Sequence, residues 1–162
     1  MTLRTKGLVI AAVHVAIVCT LGAKLLVDRT IRPRVWVEVE PYDPDLPIRG
    51  RYLSLQVKAT ARGFADSGQP GEWSHALLSV EDDRLIATRT ETDAGEPVRV
   101  RSAGADATVV LAAPIAYFIP EHVDDPSRTP GLMVEVTLPR KGPPRPIRLG
   151  VRNGDRITPL DL

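Results

Sequence analysis

Glu121-His122, followed by Asp124 and Asp125, is the only carboxylate–imidazole grouping in the chain. A histidine with acidic neighbours offers ligands for a divalent cation, or an acid/base pair. A zinc site wants three or four ligands, and the other histidine outside the N-terminal apolar run, His75, stands at no recognisable spacing from it. The group therefore reads as a solvated loop. Asp43 and Asp45, in Tyr42-Asp43-Pro44-Asp45, could face Ca²⁺, but the glycine and terminal glutamate of an EF-hand loop are missing, and Asp-Pro is ordinary turn chemistry. Ser74-His75 pairs a nucleophile with a base, yet adjacent strand residues point to opposite faces. Arg49 and Arg51, flanking Gly50, could join Arg29, Arg32 and Arg34 at lipid head groups or a phosphate; their plainer reading is a solvated pair. The sequence holds no Gly-rich phosphate loop, Cys/His metal pattern or RNA-binding signature. Neither a catalytic residue nor a cofactor is expected.

Composition narrows the class further. At 162 residues the chain is long enough for one domain with a real core and for an appendage to it. A net charge of +1 gives no global field for nucleic acid, and an aromatic content of 4% leaves few platforms on which bases could stack. Fifteen prolines and twelve glycines spread along the chain demand short elements and many turns, which a helical bundle would not tolerate. Cys19 is alone, so no disulfide closes within the chain.

The apolar stretch Gly7–Val27, preceded by Arg4 and Lys6, is about 30 Å long as a helix, one hydrocarbon thickness. Its Leu, Ile and Val residues supply roughly −3 to −6 kcal/mol of insertion free energy. His14 and Lys24 oppose this, but Lys24 is near an end and can snorkel. Cleavage after the stretch would need a small-x-small site, and Leu21 spoils it for Ala23. Val18 before Cys19 rules out a lipoprotein signal. The expectation is an uncleaved anchor over residues 1–30. Arginines 29, 32 and 34 on its far side mean that the positive-inside count does not by itself send the C-terminus outward.

Two alternating runs joined by a Pro- and Asp-rich loop organise the rest of the chain. Val35, Val37 and Val39 share one face of the first, and Leu53, Leu55 and Val57 one face of the second. Gly50, Tyr52 and Leu55, approached through Glu40-Pro41-Tyr42-Asp43-Pro44, resemble the GDYXXLXY family of bacterial envelope proteins. Arg51 stands where that pattern has Asp, and Val57 where it has its last Tyr. A second likeness is Tyr117-Phe118-Ile119-Pro120-Glu121, similar to the family's late YFVPEG-like segment, with His122 replacing Gly. The resemblance implies a single-pass protein of the bacterial inner membrane with its C-terminal domain extracytoplasmic. It also implies a lipid bilayer and a multi-span membrane protein as partners, and it carries over no established biochemical activity.

Further strands are expected at 76–80 and 84–88 around a tight turn at Glu81-Asp82-Asp83, at Val98–Arg101, Ala107–Ala112, Ile115–Ile119, Leu132–Leu138 and Ile147–Arg152, and over Arg156–Leu160. Ala59–Trp73 reads as an exposed loop, and Asn153-Gly154 as the centre of a type I′ hairpin turn. Nine or ten short strands without an amphipathic helix predict a mostly β, antiparallel sandwich or barrel-like domain over 31–162. Its expected role is a non-catalytic accessory or interaction module; the alternative is an envelope enzyme or ligand-binding protein using the loops around Gly50 and Glu121. In either case Gly50 is expected to admit no larger residue, with Tyr117 or Phe118 packing at the same sheet end as Tyr52. That would bring Glu121 within reach of Arg49 or Arg51.

Overall fold

The computed structural model describes residues 3–42, 52–64, 69–92, 94–104 and 106–162, and the chain divides into two units, Met1–Arg32 and Pro33–Leu162. The first unit is one helix, α1 (Leu3–Ile31), whose stretch Thr5–Val27 is long and apolar enough to cross a membrane. This fits a single membrane-spanning or signal helix. From Leu8 to Ile31 its leucines, isoleucines and valines are exposed. The polar side chains within it turn back on its own carbonyls: His14 Nδ1 donates to Ile10 O at 2.8 Å and Thr20 to Ala16 O at 2.7 Å. Such back-bonding satisfies polar groups where no water is at hand.

Among the described residues the second unit has ten strands: β1 (Arg34–Pro41), β2 (Tyr52–Arg62), β3 (Trp73–Glu81), β4 (Arg84–Thr90), β5 (Glu96–Ser102), β6 (Thr108–Leu111), β7 (Ile115–Phe118), β8 (Leu132–Thr137), β9 (Arg145–Asn153) and β10 (Arg156–Pro159). They hydrogen-bond in the order β10-β9-β8-β1-β2-β4-β3-β5-β6, and β6 returns to β2, closing the ring β2-β4-β3-β5-β6. The domain is thus mostly β and barrel-like, as the alternation predicts. One pair departs from the antiparallel expectation: β2 and β4 run parallel, with Thr60 opposite Ile86 and Arg62 opposite Thr88. A closed ring with an odd number of strands cannot alternate direction all the way round, so one parallel pair is obligatory.

β2 is the strand on which both halves depend. Along one edge it pairs with β7 over Tyr52–Leu55 and then with β6 over Lys58–Thr60. Along the other it pairs with β1 over Leu55–Val57 and then with β4 over Thr60–Arg62. β6 and β7 act as one interrupted partner: three steps on β2, from Leu55 to Lys58, face five steps from Val110 to Ile115. The surplus bulges out around Pro114, and Gln56 Nε2 donates to Leu111 O at 3.1 Å across the gap.

The inward faces are those that the alternation marks: Val35, Val37 and Val39 on β1, and Leu53, Leu55 and Val57 on β2, are all buried. The expected loop Ala59–Trp73 is corrected at its start. β2 continues to Arg62, Ala59 is buried, and Phe64 is 1% exposed, with the Arg89 guanidinium 5.7 Å above its ring. Alanines carry too little apolar signal to reveal the continuation, which is held by partners on both edges. β8 is buried on both faces, including Met133, Glu135 and Thr137. It lies between β1 and β9, and the Trp36 indole reaches past it to within 2.9 Å of where a Cβ on Gly150 would stand.

The turns are also redistributed. Asp82 (φ 47°) and Asp83 (φ 57°) are both left-handed between Glu81 and its partner Arg84, so the type I′ turn is there. In the last hairpin Asn153 is itself paired, with Arg156. The tip is therefore Gly154-Asp155 with only Gly154 at positive φ (61°), which suits type II′.

Candidate functional site

β2 and β7 bring the two family-like segments together. Tyr52 stands directly opposite Phe118, Leu53 opposite Tyr117 and Leu55 opposite Ile115. Leu55 is fully buried and Tyr117 packs against the core. Tyr52 and Phe118 take the outward positions and meet edge to face, with ring centroids 5.4 Å apart and planes at 63°. Tyr42 N donates to Ser54 O beyond the end of β1, which sets a third ring on the same outward side of β2. Tyr42, Tyr52 and Phe118 are 41%, 52% and 57% exposed. The half-exposed Tyr52–Phe118 pair forms an apolar patch on a mainly polar outer face, with the exposed Tyr42 just beyond the end of β1.

The remaining candidates resolve into turn chemistry. Val123 N donates to Pro120 O at 3.2 Å, making exposed Glu121 and His122 the central residues of a turn. Asp125 caps the 3₁₀ turn Pro126–Arg128, its carboxylate accepting from Ser127 N at 2.8 Å. Ser74 and His75 are consecutive on β3. Among the described residues no three His, Cys, Asp or Glu side chains come together as a metal cage. Arg49, Gly50 and Arg51, with Asp43 and Asp45, lie outside the described residues.

No family model, characterised protein or solved structure matches the chain.

The outer face carries a second arrangement that spacing in the sequence does not reveal. Glu40 on β1 accepts from Lys58 on β2 at 2.7 Å and from Arg101 on β5 at 2.8 Å. The hydrogen bond from Lys58, with the charges of both cations, holds the Glu40 carboxyl below its ordinary range. Arg101 reaches Glu40 across β6 and β2, and the outward Val110 beneath is only 1% exposed. Glu38 pairs with Arg152 and Glu135 with Arg148, each at 2.7 Å. The single available signal is sign segregation, with glutamates at outward positions of β1 and arginines at outward positions of β5 and β9.

Where β1 and β4 diverge from β2, an open cleft of about 250 Å³ is lined by Trp36, Lys58, Thr60, Asp83, Arg84 and Arg152. A neighbouring hollow of about 340 Å³ shares Lys58 and Arg152 with it. Their lining is mixed, with Val37, Leu85 and Met133 beside the charged groups, and Lys58 and Arg152 are held by Glu40 and Glu38. Small-molecule sites are mostly apolar, concave and largely enclosed, and these hollows lack that character.

Proposed function

We propose that the chain is a membrane-anchored accessory module of the bacterial envelope. α1 is retained as a single-pass anchor in the inner membrane, the β unit is extracytoplasmic, and it docks on a multi-span membrane protein through the Tyr42–Tyr52–Phe118 surface. The exposed ring pair carries this reading. Aromatic side chains offer large contact area at small entropic cost and dominate interface energetics, and clustered exposed apolar groups mark interaction sites. The likeness to the GDYXXLXY family supports the same view, because the two segments that carry it are direct β partners.

The test is purification of the full chain from membranes in mild detergent, beside the double variant Tyr52→Ala/Phe118→Ala. The reading expects a membrane protein that accompanies the wild type and is lost with the variant, while the melting temperature of the β unit changes little. Equal recovery of the partner with both proteins would refute docking through this patch.

A further inference from the structure

We propose that the β unit bears, where the chain joins it, a basic surface for the anionic headgroups of the bilayer. Pro33 opens the unit, and Leu138 N donates to its carbonyl at 3.2 Å. Arg34 on β1, Thr137 on β8 and Arg145 on β9 form one cross-strand row on the outer face at this end. The connector between β8 and β9 adds exposed Arg140 and Lys141. From Leu138 to Arg148 the chain contains no carboxylate.

The connector is built to hold its charges in place. Pro139, Pro143, Pro144 and Pro146 fix φ, Pro144 is buried, and Gly142 turns the chain at φ 90°. A hollow beside it is lined by Leu77, Glu96, Leu138, Pro139, Arg140 and Lys141. Leu77 is 54% exposed, an aliphatic tip beside two cations, and Glu96 is the single carboxylate in that lining. Arg148 is held by Glu135, which leaves Arg140, Lys141 and Arg145 as the cations offered outward.

A bilayer is the occupant that the chain connection favours. Pro33 follows Val27, the last residue of the apolar span, by six positions, of which α1 takes up four as far as Ile31, so about 13 Å at most separates them. Attraction of a cation to an anionic membrane acts within a Debye length, about 8 to 10 Å. The inference rests on the reading of α1 as a membrane span.

The test uses the full chain in nanodiscs of phosphatidylcholine alone or with added phosphatidylglycerol. Acylation of the Lys141 amine is read by mass spectrometry against Lys58, which is engaged by Glu40 and serves as the internal reference. With phosphatidylglycerol, Lys141 should label several-fold more slowly relative to Lys58, at roughly five-fold attraction per cation. High salt should abolish the difference, and Arg140→Gln with Arg145→Gln should shrink it. An equal Lys141 to Lys58 ratio in both discs would overturn this proposal alone. Elution of the chain apart from the discs would refute the membrane span and this proposal with it.

Discussion

Gly150→Ala is a test of how the outer face of β8 is kept dry. Gly150 is not left-handed, so the substitution probes space rather than backbone freedom. An added methyl would stand 2.9 Å from Trp36 Cη2 and Cζ3 and 3.0 Å from Thr158 O. The indole cannot easily give way, because the Arg148 guanidinium lies 5.3 Å from its centroid and Met133 and Glu135 are buried on the face that it crosses. Overpacking of this kind costs about 1–3 kcal/mol. Trp36→Phe removes the two ring carbons that collide and leaves Thr158 O, so Gly150→Ala made on Trp36→Phe should cost about 1–2 kcal/mol less than on the wild type. The measurement is the denaturant midpoint of the full chain in mild detergent, followed by the β-sheet circular dichroism signal. The chain has two tryptophans, and in the arm that keeps Trp36 a Trp73→Phe background isolates its emission as a second probe of the Gly150→Ala cost. An unchanged cost in the Trp36→Phe background would refute the idea that the ring excludes a side chain at position 150.

Three further outcomes are expected. Asp82→Asn with Asp83→Gly should raise the unfolding midpoint by about 1 kcal/mol, since glycine relieves the left-handed strain that aspartate bears at φ 57°. Glu40 has a lowered carboxyl pKa, so its stabilisation is complete above the unfolded value near 4.3 and is lost as pH falls through the lower folded one. Glu40→Gln should therefore flatten part of the acid limb of a stability–pH curve, by about 1 kcal/mol or less for a half-exposed group. Val13, Val15 and Ile17 changed together to Asp should move the full chain from membrane to soluble fractions, each Asp costing about 3 kcal/mol at a helix centre.

Much of the β unit was legible because inward positions carry Val and Leu at period two. The valines of β1 and the Leu-x-Leu-x-Val of β2 name their own buried faces. Where burial depends on a distant partner, the pattern is mute. Ala59 and Phe64 are buried because β4 and β6 close around β2, and Glu135 is buried because Arg148 pairs with it and Trp36 reaches across its strand. The parallel β2–β4 pair follows from ring parity, which no local signal encodes. Position also decided the turns: the Asn-Gly motif was placed one residue off the tip by pairing of Asn153 with Arg156. At the candidate site, Tyr52, Tyr117 and Phe118 could be picked out by type and likeness, but that Tyr52 faces Phe118 depends on the bulge at Pro114 that resets the register.

The sharing of β2 has a consequence for the order of folding. Its second edge is completed by β6 and β7, and Thr108 follows Arg62 by 46 positions. Until that segment arrives, β2 can pair with β1 and with β4 but keeps an open row of amides and carbonyls, the kind of edge that recruits foreign strands. Closure of so long a loop is slow relative to hairpin formation, and the pairing of β1 with β8, Arg34 opposite Thr137, closes a longer one still. Once both are made, the ring and the β1-β8-β9-β10 sheet are joined through the β1–β2 pairing. The two sheets should therefore melt as one, and the amides of β2 should be the last in the chain to exchange with solvent.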